Sequence, residues 1–160
     1  MKNLFIALFA TLFLFAACSN STSPYDFNEK IVQAQTTIVR AFQDFSMKVD
    51  ATDKSQLNTL EPERQKLEDT VKMELAKLSK LAPAGTSGES FKTNAIAYFQ
   101  GIAGLISNEY KALLRADATE AQRDATNKII IEKNNALVDA QSRLITEQEE
   151  YSKLNNFEVK

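Results

Sequence analysis

An all-α fold, an elongated up-down-up-down bundle of four helices behind a cleaved signal peptide, is what this 160-residue sequence predicts. Three observations carry the prediction. From residue 24 onward, apolar residues recur at steps of three and four, the period of a helix that buries one face. Helix breakers are scarce: there are four Gly and three Pro, and two of these Gly and one Pro fall in the single loop 81–88. No stretch alternates apolar and polar residues long enough to compete as a strand, and no internal repeat is visible.

The leader comes first. Met1-Lys2-Asn3 carries one positive side chain and precedes Leu4 to Ala17, an apolar run broken only by Thr11 and closing on Ala16-Ala17 before Cys18. This is the layout of a secretory signal peptide. Its 14 apolar-run residues fall short of the ~20 that cross a bilayer as a helix. Phe5, Phe9, Phe13 and Phe15 surround it on all sides, whereas a core helix keeps a polar face. Residues 1–17 are therefore expected to be removed, residues 18–23 to form a short polar tether, and residues 24–160 to fold. The tether from Ser19 to Ser23 reaches about 17 Å at ~3.4 Å per residue, which holds the folded body close to whatever anchors it.

Leu14-Phe15-Ala16-Ala17-Cys18 resembles the lipobox of bacterial lipoproteins, with Phe15 where Leu is commoner. The resemblance implies cleavage before Cys18, lipidation of that residue and attachment to a membrane through the lipid. Ser19 stands where Asp is associated with inner-membrane retention, so the resemblance further implies the outer membrane, with the body facing the periplasm or the surface. Acyl chains contribute about 0.8 kcal/mol per buried CH₂, so a multiply acylated Cys18 needs no membrane helix beside it.

In the domain itself, Ser23 is placed to cap a first helix, with Pro24 at its first position and Asp26 at the positive end of its dipole. Phe27, Ile31, Ala34, Ile38, Ala41, Phe42, Phe45 and Val49 form its stripe, and it is expected to end near Asp50. The second helix carries Leu57, Leu60, Leu67, Val71, Leu75, Leu78 and Leu81; Pro62 either starts its regular part or kinks it. After the loop, Thr86-Ser87-Gly88-Glu89 reads as a capping box opening a third helix through Phe91, Ala95, Tyr98, Ile102, Leu105, Tyr110 and Leu113. Asp117-Ala118-Thr119-Glu120 repeats that pattern. The last helix, from Ala118 to Leu154, holds Ile130, Leu137, Leu144 and Tyr151 at seven-residue steps, with Ala140 and Leu154 beside them. Ile38, Phe45, Leu67, Val71, Ile102, Leu105, Leu137 and Leu144 are expected in the core, no apolar stripe is left over, and the flanks of Ile129-Ile130-Ile131 are expected at its boundary.

Much chemistry is excluded by composition. The chain has no His and one Cys, which removes His-dependent catalytic dyads, Cys/His zinc sites and di-iron bundles of the usual Glu/His form. A net charge of −2 lacks the basic excess of a nucleic-acid surface, so no nucleic-acid partner is expected. The near pairs Glu61/Glu63, Glu68/Asp69 and Glu149/Glu150 point apart on helices, as do Ser79-Lys80 and Ser152-Lys153. No catalytic residue, metal ligand or cofactor is therefore assigned. Ala97, Gly101 and Gly104 share one side of the third helix, where a close helix crossing or a partner backbone would justify the small residues. Tyr151 and Phe157 near the C-terminus either clasp the bundle end or present an aromatic contact. The expected function is a non-catalytic binding or structural module of the cell envelope, contacting another envelope protein through a helical face. A surface adhesin, or a carboxylate enzyme that recruits a hard cation such as Mg²⁺ or Ca²⁺, is the alternative.

Overall fold

The computed structural model describes residues 22–159, so the leader, Cys18 and most of the tether lie outside the described residues. Four long helices form an all-α bundle: α1 (Pro24–Ala51), α2 (Glu61–Lys80), α3 (Gly88–Gly104) and α4 (Glu120–Leu154). A 3-10 helix, Lys54–Leu60, joins α1 to α2, and α3 runs on through a π-helix, Leu105–Tyr110, into a last turn, Lys111–Leu113. The 35 residues of α4 span about 52 Å at 1.5 Å per residue, which sets the elongated shape. Contacts at the two ends fix the direction of α1 and α4. The Tyr151 hydroxyl at the end of α4 donates to Pro24 O at the start of α1, at 3.3 Å. Lys54, just past α1, pairs with Glu120 and Asp124 at the start of α4, each at 3.1 Å.

The first helix begins as its sequence dictates: Ser23 Oγ accepts from Asp26 N at 3.0 Å, with Pro24 in the first turn. Pro62 starts the regular helix. It occupies the first turn of α2, where its fixed φ suits the helix, and the 3-10 helix runs directly up to it. Two expected caps are replaced. Ser87, not Thr86, stands at the N-cap of α3, in the left-handed region at φ 63°, with no side-chain cap bond. The cap of α4 is Thr119, boxed with Gln122 at 3.3 and 2.9 Å, because Asp117 is engaged by Arg115 at 2.5 and 2.9 Å.

The α2–α3 loop is held from outside. Asn155 Oδ1 accepts from Thr86 N at 2.9 Å while its Nδ2 donates to Thr86 O at 3.0 Å and Tyr151 O at 2.8 Å. Gly85 sits against this clasp at φ 67°, and a Cβ there would fall 2.1 Å from Asn155 Oδ1, so only glycine fits. The same end of the bundle is aromatic. Tyr151 stacks on Phe91 with ring centres 5.1 Å apart, and also meets Phe27 and Phe157 at 5.7 and 5.8 Å. Burial pushes the Tyr151 hydroxyl up to about 12, so it remains a donor, to Ala84 O at 2.7 Å.

One ion cluster is set into the bundle. The Arg64 side chain is 3% exposed; it grips Glu61 with two bonds of 2.7 and 2.8 Å and reaches Glu68 at 2.5 Å. Its Nη1 also reaches Ile106 O in the π-helix at 3.4 Å. The π-helix keeps Ile102, Ile106, Tyr110 and Leu114, four residues apart in turn, all buried, which the narrower α turn would rotate off one face.

Most expected core residues are buried, from Ile38 and Phe45 to Leu105 and Leu144. Leu137 is a correction: it is only partly buried, packed against the core's edge, so its truncation to Ala costs less than that of Leu144. Leu154 is exposed, since the helix has by then passed the end of the core. Ile129 and Ile131 are exposed as well, not boundary residues, and an apolar row is left over after all.

Candidate functional site: an uncharged face between two helices

α1 and α4 touch each other little along their length, and between them lies a groove of about 380 Å³. Val39, Phe42 and Met47 form its α1 wall, Leu137 and Val138 its α4 wall, and Tyr98 and Ile102 of α3 its floor. The wall residues follow helical spacing on both sides, which is why one stripe of each helix opens onto the groove. Its lining carries a single charged residue, Asp50 at one end. Deep in the wall, Tyr110 packs edge-on against Phe45 and Phe42, with ring centres 5.2 and 5.9 Å apart, and shares a hydrogen bond of 3.0 Å with Ser46. Burial, with a smaller contribution from Asp50, holds the Tyr110 hydroxyl above its ordinary range, so it is protonated and neutral at physiological pH.

Beside the groove, α4 turns a second row outward: Ile131, Val138 and Ile145 are 62%, 60% and 45% exposed. It runs parallel to the buried row of Ile130, Leu144 and Tyr151, one residue along the helix. Asn134, Asn135, Gln141 and Ser142 separate the outward residues, so between Ile131 and Ile145 this flank carries amides and hydroxyls and no charge. In a chain with 25% charged residues, that is an unusual stretch of surface to leave open to water.

The residues singled out from the sequence divide. Gly101 faces α4: a Cβ there would lie 2.8 Å from Leu137 Cδ2, so its smallness lets α3 and α4 approach. Gly104 has open space around it, with nothing within 4 Å of such a Cβ. Replacing it with Ala is expected to stabilise the protein by about 0.5–1 kcal/mol through helix propensity alone, read as a higher urea midpoint. Ala97 lies in a second groove, between α3 and α4, beside Asn94, Ala140 and Leu144. Glu147 bridges α4 to α3 along that groove, accepting from Asn94 at 2.8 Å and Ser90 at 2.9 Å. Tyr151 is 1% exposed and clasps the bundle end, so it offers a partner no surface; Phe157 is partly buried against the same aromatic cluster. The small-residue stripe and the aromatic end thus do not form one face. Cys18 lies outside the described residues.

Among the described residues, no three acidic or thiol groups gather at metal-binding distance. Glu63 is paired with Lys48 and Glu109 with Lys133. No described helix is long and apolar enough to cross a membrane.

The outward row was absent from the expected site because sequence period alone yields two adjacent rows on α4. The Ile129-Ile130-Ile131 run is the trace it leaves in the sequence. No protein family, curated protein or solved structure matches this chain.

Proposed function

We propose that this protein is a non-catalytic interaction module of the bacterial cell envelope, tethered to the outer membrane by lipid on Cys18 and making its contact through the α1/α4 face. The observation that carries the contact is the uncharged flank of Ile131, Val138 and Ile145 beside the groove, which the bundle leaves uncovered. The tether rests on Leu14 to Cys18 in the sequence. Anchoring through lipid leaves the whole helical surface available for a partner.

Processing is the first thing to measure. Mass spectrometry of the full chain purified from membranes is expected to find an N-terminal Cys18 carrying acyl mass, in the outer-membrane fraction. An unmodified Cys18, or a soluble periplasmic form at normal expression, would overturn the tether.

A further inference from the structure

Resting on the tethered-module reading, we infer that the partner of this face is a second copy of the same chain, with α4 laid antiparallel on α4 about a two-fold axis at Val138. Ile131 and Ile145 lie seven residues to either side of Val138, so the row reads the same in both directions. Antiparallel pairing centred there puts Val138 on itself and Ile131 of one copy on Ile145 of the other. β-branched residues at seven-residue steps are knobs suited to such a seam.

Charge selects both the partner and the direction. A two-fold contact brings a patch onto itself, so a charged patch would meet its own sign. This flank has uncharged residues through its middle and one charge towards each end, Lys128 and Glu149. Both are exposed, and among the described residues neither has an ion-pair partner in its own chain. Antiparallel pairing brings Lys128 within one residue of Glu149 of the second copy, and Asn135 within one residue of Ser142. Parallel pairing would set Lys128 on Lys128 and Glu149 on Glu149.

Three apolar residues per copy make a small contact. Confinement of both copies to one bilayer supplies the effective concentration that the contact itself lacks. The antiparallel arrangement sends the two Pro24 ends in opposite directions, so both tethers reach one bilayer when the bundles lie along it with the two-fold axis upright.

The test is disulfide trapping of the full-length chain in native membranes, scored above the unsubstituted chain. Val138→Cys is expected to give a cross-linked homodimer under mild oxidation. Ile131→Cys and Ile145→Cys are each expected to stay monomeric when expressed alone, since like positions then lie about 21 Å apart along the helix, and to cross-link when expressed together. Lys128→Glu is expected to lower the Val138→Cys yield several-fold, and adding Glu149→Lys to restore it. A Val138→Cys chain that stays monomeric, captures a different protein, or cross-links no better than Ile131→Cys alone overturns the inference. Those results leave the tethered module standing; that reading fails separately, on an unmodified Cys18.

Discussion

Tyr151→Ala is expected to lower the unfolding free energy by about 3–5 kcal/mol, the range of large aromatic truncations in a packed core. The side chain is 1% exposed and lies at the meeting point of three other rings. Its removal leaves a cavity bounded by Phe27 and Phe91, which sit on different helices and cannot both close over it. The two carbonyls it serves, Pro24 O and Ala84 O, lose their donor at the same time. Tyr151→Phe separates these effects: the rings stay, and the expected cost falls to about 1–2 kcal/mol for the unpaired carbonyls. Urea unfolding followed by far-UV circular dichroism reads both values. If the Ala variant unfolds at the parent's urea midpoint, the aromatic end does not hold the bundle together.

Arg64→Ala is expected to be the other large loss, about 3 kcal/mol, at the low end of what breaking a buried ion pair costs. The low end applies because Glu61 and Glu68, with side chains 32% and 19% exposed, still reach water when the guanidinium is gone. Ile106 O loses its side-chain donor, and the stem's volume is emptied as well. Arg64→Met refills that volume and is expected to recover much of the loss. Acid titration checks the electrostatic part. The Arg64 guanidinium beside Glu61 holds its carboxyl below the usual range, and Lys72, then Arg64, do the same for Glu68. A carboxyl whose folded value is depressed stabilises the fold above its unfolded value near pH 4.5, and that contribution disappears as pH falls through the folded value. Stability is therefore expected to drop as the pH is lowered through and below about 4.5, with a shallower slope in Arg64→Met.

The four helices were legible because each stripe repeats over many turns, and a long periodic pattern survives local exceptions. Ser23 and Pro24 were legible for another reason: capping is decided within a few residues. What the sequence hid depends on contacts between distant segments. Ser87 adopts a left-handed backbone because Asn155, 69 residues from Thr86, holds the loop beside it. Arg64 sits in the sequence as one more surface charge, and only the π-helix carbonyl and two flanking acids make it a buried group. Asn156, just past α4, adopts a left-handed backbone at φ 57°, and nothing beside it in the sequence points to the distant loop that Asn155 fastens.

The same limit governs the candidate face. Leu137 and Val138 are neighbours on two equally regular rows, and the rotation of α4 about its axis decides which one is covered. Gly101, by letting α3 come close to Leu137, contributes to that rotation. The small residues on the third helix therefore bear on the exposed face indirectly, by orienting the helix that carries it.

The clasp at the aromatic end also makes the domain mechanically directional. Tension entering the chain ahead of Pro24 arrives at the one place where the first turn of α1, the α2–α3 loop and the last turn of α4 are tied through a single hydroxyl. Tension along the helix axis must slide α1 past its neighbours as a unit, opposing all of its interlocked side chains at once. Tension across the axis can instead lift the first turn away and then peel the helix open one turn at a time. Orientation relative to the anchor thus determines whether the bundle bears load in shear or yields by unzipping.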